Sequence, residues 1–113
     1  LMGIATEYAL VCLAAISDER RRAEVARRLA DSGRSVLDLS FHQVAEFAGN
    51  AIELTGSDGR LLALSARAAA VLTDAQRDVI EQSARLLPMA VPTIELAGGS
   101  VRCMIAGVHL TPR

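Results

Sequence analysis

The residue best suited to chemistry in this 113-residue sequence is Cys103, which follows Gly98, Gly99 and Ser100 near the end of the chain. Glycines allow positive φ and let backbone N–H groups approach a ligand closely. The apolar run 101–110 predicts a strand, and such a strand would fix the direction of the thiol. This combination is typical of a presented nucleophile. A single cysteine in an apolar strand is also often a core residue, and on spacing alone both interpretations stay open.

Composition predicts that residues 1–113 form a single compact domain, because 51% of the residues are hydrophobic and 22% are charged. A formal net charge of −1 gives no electrostatic footprint for nucleic acid or a membrane surface. No apolar run has the length of a membrane span, and the first residues lack the basic start of a signal peptide. The two cysteines lie far apart in sequence, so no disulfide framework, metal site or cofactor is predicted, and a cytoplasmic protein with reduced thiols is expected.

Apolar runs and turn residues predict six strands. The run at 8–13 is continuously apolar, as in a strand buried on both faces, and it places Cys12 in the core. Two runs flank Gly56-Ser57-Asp58-Gly59 and predict a β-hairpin. Pro92 cannot donate a ladder hydrogen bond, so its strand is expected at a sheet edge or irregular. The predicted strands are 8–13, 35–39, 51–55, 60–64, 89–95 and 101–110.

Capping signals predict the helices between these strands. Ser17 is expected to cap a helix that ends at Gly33, with an apolar stripe and an arginine-rich remainder that is interpreted as a solvated face rather than an anion site. Ser40 and Thr73, each followed three positions later by glutamine, predict capping boxes. The second of these helices is expected to run to residue 87, before Pro88, with a weaker helical turn at 65–72 ahead of it. The apolar positions expected to face inward are Val25, Ala26, Leu29, Ala30, Phe41, Val44, Phe47, Val79, Ile80, Ala84 and Leu87.

The order of these elements predicts a mixed α/β (α+β) fold. It is close to two tandem α/β units of roughly fifty residues, although no residue-level repeat is visible. From the residues alone the architecture cannot be specified beyond this class.

Two segments carry a more specific signal: FAGNAIEL at 47–54 and IELAGGSVRCMIAGVHL at 94–110. Together they resemble the C-terminal part of the amidinotransferase and citrulline-hydrolase branch of the guanidino-modifying, pentein-type enzymes. The resemblance implies that Cys103 is the catalytic nucleophile. It also implies a five-bladed α/β propeller around a central channel, of which this chain would supply about two units of an incomplete ring.

The resemblance also implies a substrate site. The substrate would be a small guanidino or ureido compound, arginine-like or citrulline-like, and the enzyme either a transferase or a hydrolase working through a covalent intermediate. A helix-ending turn explains the Gly-Asn pair equally well, so its role stays open. Ala97 stands where the family often has a third glycine. The residues expected to bind substrate are Gly49, Asn50, Gly99 and Ser100.

A general acid for the leaving group is harder to find. His109 would lie roughly 20 Å from Cys103 along a strand that rises ~3.3 Å per residue, and His42 belongs to a surface-like helix. The resembled family carries its histidine just before the strand that corresponds to 8–13, and its guanidinium-binding carboxylates earlier still. Glu53 and Glu95 are interpreted as structural. The isolated chain is therefore expected to be an inactive C-terminal fragment that carries only the nucleophile.

Two interpretations of function follow. The first is the C-terminal portion of a guanidino-modifying enzyme. The second is a non-catalytic α/β assembly module. In either case two units of an open ring would expose apolar surface and strand edges, so a homodimer, or association with a missing N-terminal part, is expected.

Overall fold

The computed structural model describes residues 2–112 and contains two three-stranded sheets of the same topology. In each sheet the middle strand pairs antiparallel with the strand before it and parallel with the strand after it. The expected α/β class is thus present as two successive units, and residues 2–112 form no closed ring. The first sheet contains β1 (Met2–Ile4), β2 (Tyr8–Val11) and β3 (Ser35–Asp38), and the second β4 (Ile52–Gly56), β5 (Gly59–Ser65) and β6 (Arg85–Met89).

Helices connect the parallel strands and follow them. They are α1 (Glu19–Asp31), α2 (Phe41–Ala45), α3 (Ala66–Ala70), α4 (Asp74–Glu81) and α5 (Pro92–Leu96), with short 3-10 helices at Leu13–Ala15 and Val101–Met104. Both predicted capping boxes are confirmed, at Ser40 and Thr73. The cap of α1 is Asp18 instead of Ser17, because the Asp18 carboxylate accepts from two backbone N–H groups of the first turn. Within residues 2–112, the helices are all too short or too polar to cross a membrane.

The core lies on the middle strands and is continuous between the two sheets. Every residue of β2 is buried, which confirms the interpretation of its apolar run, and Cys12 just after it is 2% exposed. The α1 stripe is covered less than expected, since no residue of that helix is fully buried. Phe41 was expected to face inward and is 63% exposed. The outer helical surfaces therefore retain apolar side chains in contact with solvent.

Hydrogen bonds between side chains join the two units. Gln43 and Gln76, the glutamines of the two capping boxes, are bonded to each other at 2.7 Å, and Gln43 also donates to the Val71 carbonyl. On another side of the core, the backbone N–H and hydroxyl of Thr6 donate to Glu53 Oε1 at 3.1 and 2.6 Å. These contacts fix β4, and with it the segment just before β4, against the first sheet.

The second unit differs from the prediction between 82 and 96. The helix that begins at Asp74 ends at Glu81, and Arg85–Met89 forms a strand parallel to β5. Pro88 is accommodated because β6 is the edge strand and a proline there breaks no inner ladder. Pro92 does not interrupt a strand; it occupies the first turn of α5, where its missing N–H costs nothing.

The predicted strand at 101–110 is wrong. Val101–Met104 is a 3-10 helix, closed by the N–H of Cys103 on the Ser100 carbonyl and the N–H of Ile105 on the Arg102 carbonyl. The following residues up to 112 have no regular structure. A strand needs a neighbour to satisfy its backbone groups, and residues 2–112 supply none at this position. The expected distance of His109 along a strand therefore does not apply.

Removing a large side chain from the middle of the second sheet tests this arrangement. Leu64 on β5 is fully buried, so Leu64→Ala is expected to lower the free energy of unfolding by roughly 2–5 kcal/mol. Thr55→Ala on exposed β4 surface is the control, expected to cost about 1 kcal/mol or less. Urea unfolding monitored by circular dichroism measures both. Equal losses for the two variants would contradict the assigned core.

Candidate active site

The loop between α5 and Cys103 is shaped by a helix-ending turn. Gly98 has a φ of +98°, and its N–H donates to the Glu95 carbonyl at 3.0 Å. This left-handed residue after a helix favours glycine, as the sequence suggested. Ala97 has an ordinary φ of −80°, so no third glycine is required there. The turn reverses the chain and leads into the 3-10 helix that carries Cys103.

Cys103 lies on the surface and contacts Asn50, which is distant in sequence. The Asn50 amide Nδ2 donates to Cys103 Sγ at 3.1 Å, and the Cys103 backbone N–H donates to Asn50 Oδ1 at 3.3 Å. Because one amide group makes both contacts, its orientation is fixed. The structure thus brings together two of the five predicted site residues, and the thiol remains exposed to solvent.

Hydrogen bonds and charge favour the thiolate form of Cys103. A hydrogen bond from Asn50 and a backbone hydrogen bond from Ser100 hold the pKa of the Cys103 thiol below its ordinary value. The neighbouring Arg102 charge acts in the same direction, while partial desolvation opposes it. A thiol with a lowered pKa and open access is the form of cysteine that reacts as a nucleophile.

The other three predicted residues lie nearby but differ in what they offer. A Cβ placed on Gly99 would lie 3.6 Å from Cys103 Cβ and 3.8 Å from its sulfur, so Gly99 borders the thiol directly. Ser100 is fully buried, and its hydroxyl donates to Glu95 Oε1 at 3.3 Å. Gly49 is also buried, beside strand β1. The Ser100 side chain and Gly49 therefore face the protein interior, while Asn50, Gly99 and the Ser100 backbone adjoin the sulfur.

Histidines and acidic side chains have other surroundings. His42 on α2 and His109 near the chain end are exposed, and neither hydrogen-bonds to Cys103. The Glu53 carboxylate accepts from Thr6, and Glu95 accepts from Ser100, in keeping with their interpretation as structural. Within residues 2–112 the side chain bonded to the sulfur is that of Asn50. Among residues 2–112, no histidine or carboxyl side chain hydrogen-bonds to this thiol.

Sequence reasoning missed two arginines. Arg102 adjoins Cys103, and a cation next to a candidate thiol was a visible signal. Arg67 contacts Glu46 and lies near Glu95, and no local pattern pointed to it, because its partners come from separate parts of the chain.

Two cavities have linings that do not include Cys103. One cavity of about 490 Å³ lies between the two units and is lined in part by Glu7, Arg60 and Ser83. Another of about 310 Å³ is mainly apolar and is lined by Met89, Val91 and neighbouring residues. Cys103 contributes to neither lining. The Cys103 side chain is instead exposed to solvent.

Comparison with known proteins gives a match to a family model. The model of the family described as N,N dimethylarginine dimethylhydrolase, eukaryotic, matches residues 1–110. No curated protein and no solved structure matches the chain. The match confirms the resemblance to guanidino-modifying, pentein-type proteins that the segments at 47–54 and 94–110 suggested. Because it spans nearly all of the sequence, the chain belongs to the N,N dimethylarginine dimethylhydrolase family.

Proposed function

We propose that this chain carries the nucleophile of a guanidino-group hydrolase, and that this nucleophile is Cys103. The observation that carries the proposal is the double contact between Asn50 and Cys103, which leaves an exposed thiol with a lowered pKa. Family membership supports a substrate of the dimethylarginine type, an arginine-like compound whose guanidino group bears two methyl groups. The hydrolase is favoured over the transferase because the family description names hydrolysis.

The reaction follows from the chemistry of a thiolate and a guanidinium carbon. Cys103 Sγ forms a bond to this carbon, and the bond from the carbon to the dimethylamine nitrogen breaks as that nitrogen takes up a proton. Water then adds to the same carbon, the carbon–sulfur bond breaks, and a ureido product leaves with the thiolate regenerated. The Asn50 N–H stabilises the thiolate before attack and after release. Gly99, without a side chain, leaves one approach to the sulfur open.

Two groups required by this chemistry come from outside the surroundings of Cys103. The leaving amine needs a proton donor, and a guanidinium cation is held best by carboxylates. Since the hydrogen bonds to Cys103 come from Asn50, while Glu53 and Glu95 accept from Thr6 and Ser100, we place the acid and the carboxylates on a further segment or another subunit. The 113-residue chain by itself is then inactive.

The repeated topology supports a specific way of completing the site. Two units with the same strand order and pairing fit two blades of a five-bladed α/β propeller, whose channel would enclose the thiol. The chain also exposes large apolar side chains, which a neighbouring unit would cover. A homodimer or an association with further blades is the proposed arrangement. The most exposed of these side chains are Leu96 at 89%, Leu110 at 83%, Val108 at 77% and Phe41 at 63%.

The same exposed apolar side chains favour a second candidate, a non-catalytic assembly module. In such a module the Cys103 thiol takes part in no reaction, and the Asn50 amide only holds the C-terminal segment against the second sheet. The two candidates differ in whether covalent chemistry occurs at Cys103.

A turnover experiment distinguishes them. Dimethylarginine, arginine and a ureido analogue are incubated with the 113-residue chain and with the complete product of its reading frame, and released amine and ureido product are quantified by mass spectrometry. We expect product from dimethylarginine only with the complete product, without need of an acceptor amine. A product that forms only when an acceptor amine is added would identify a transferase. Failure of both preparations to consume any of the three compounds would leave only the assembly module.

A further inference from the structure

Arg67, in helix α3, links the two segments that meet at Cys103. Its guanidinium makes two hydrogen bonds to the Glu46 carboxylate, one from Nε to Oε2 and one from Nη2 to Oε1 at 3.2 Å. The same group lies 5.5 Å from the centroid of the Phe47 ring, in a cation–π arrangement. Its Nη1 is 4.0 Å from Glu95 Oε2. One side chain therefore contacts the segment before Asn50 and the segment before Cys103.

On the first side, the contacts of Arg67 hold the turn that delivers Asn50. Phe47 has a φ of +66°, a conformation that costs free energy for a bulky residue unless its surroundings enforce it. The Asn50 backbone N–H donates to the Phe47 carbonyl at 2.9 Å. Arg67 fastens this turn by bonding to Glu46 and covering the ring of Phe47, so it acts on the position from which the Asn50 amide extends.

On the second side, Arg67 neutralises a buried carboxylate. The Glu95 side chain is 5% exposed, and a carboxylate removed from water needs an opposite charge or several hydrogen bonds. Its Oε1 accepts from the buried Ser100 hydroxyl, and the Ser100 carbonyl accepts the backbone N–H of Cys103 at 3.1 Å. The position of Glu95 is thus transmitted through Ser100 to the 3-10 helix that carries the thiol.

We propose that Arg67 is a positioning residue that sets the contact between Asn50 and Cys103 by holding both segments at once. This positioning role concerns the hydrogen bonds between Asn50 and Cys103 and does not depend on what the thiol does. Only the expected effect on turnover rests on the proposed function of Cys103. An exposed ion pair on its own contributes little, and the Arg67 side chain is 50% exposed. Here the bidentate pair, the aromatic ring and a buried carboxylate converge on one guanidinium, so its removal releases three constraints together.

The test compares Arg67→Met with Arg67→Lys and Ser100→Ala. Lysine keeps the charge but cannot bond both oxygens of Glu46, so it should restore the contact only in part. Ser100→Ala removes the hydroxyl that donates to Glu95, and with it the link from Glu95 to the Cys103 segment, while Arg67 is unchanged. The matched control is Arg28→Met, which removes another exposed arginine paired with a glutamate, Glu24, on helix α1. Each variant is measured for thermal unfolding and for the rate of Cys103 alkylation by iodoacetamide as a function of pH.

We expect the alkylation profile of Arg67→Met to move to higher pH, because the Asn50 hydrogen bond that favours the thiolate is weakened. Ser100→Ala should move in the same direction, Arg67→Lys less than methionine, and Arg28→Met not at all. Turnover by the complete product should fall about tenfold or more with Arg67→Met, since misplacing a reacting group by about 1 Å can cost 10²-fold.

A profile for Arg67→Met and Ser100→Ala identical to that of the wild type would overturn the positioning role. If either variant fails to fold, the other and Arg67→Lys still report on the profile. An ordinary pKa of Cys103 in the wild type would instead contradict the proposed nucleophile. The two failures are therefore distinguishable.

Discussion

Replacing Cys103 by serine is expected to lower kcat by on the order of 10⁴-fold or more, because removing the nucleophile of a covalent mechanism costs losses of this size or greater. A serine hydroxyl stays protonated near neutral pH, and the contacts that favour a thiolate here do not supply a base for a hydroxyl. The measurement is the rate of ureido product formation from dimethylarginine by the complete product of the reading frame. Substrate binding should change much less than kcat.

The other cysteine provides the control for this experiment. Cys12 is buried in the core, so Cys12→Ala is expected to retain turnover while losing some stability. Wild-type turnover by the Cys103→Ser variant would show that another residue attacks the substrate. If both cysteine variants lost activity only in proportion to their loss of folded protein, Cys103 would likewise not be the attacking residue.

Removing the Asn50 amide is expected to lower kcat/KM at neutral pH by about 10²-fold, comparable to the loss of one well-placed donor at other active sites. In Asn50→Ala the sulfur loses the hydrogen bond that contributes most to its lowered pKa, so the pKa rises. A smaller fraction of the thiol is then ionised near neutral pH. The loss should shrink as the pH is raised, because more thiolate forms.

The Asn50→Asp variant tests independently the direction in which residue 50 shifts the pKa of the Cys103 thiol. A carboxylate beside the sulfur disfavours a second negative charge, so the pKa should rise further than in the alanine variant. Profiles of kcat/KM against pH for both variants test this order. Gln82→Ala, which changes an exposed amide at the end of α4, is the control and should leave the profile unchanged. Variants that lose activity equally at every pH would indicate that Asn50 acts on the substrate rather than on the thiol.

Local signals predicted much of the fold. Ser40 and Thr73 begin helices because their side chains satisfy free N–H groups with residues three positions away. The Gly56–Gly59 turn forms the expected hairpin, since its four residues decide the reversal. The buried strand β2 follows from its composition alone. In each case the necessary partners lie within a few residues of one another in sequence.

The sequence-based predictions failed where the residues that determine the local structure are distant in sequence. Arg85–Met89 is a strand because β5 lies beside it, although a helix that continued up to Pro88 was compatible with the local pattern. The run at 101–110 is apolar enough for a strand, yet residues 2–112 offer it no neighbour. The meeting of Asn50 with Cys103 depends on how the second sheet packs. The glycine-rich loop and the family resemblance single out Cys103, and the resemblance singles out Asn50, but neither predicts the contact between them.

Alkylation of wild-type Cys103 by iodoacetamide as a function of pH tests most directly whether this thiol is an activated nucleophile. Modification is followed by mass spectrometry of the peptides that contain Cys103 and Cys12. We expect Cys103 to react with a midpoint below the ordinary pKa of a thiol, since Asn50, Ser100 and Arg102 all favour its ionised form. Buried Cys12 should stay unmodified in the folded protein. A midpoint at or above the ordinary value, or modification of Cys103 no faster than that of Cys12, would contradict the role proposed for this residue.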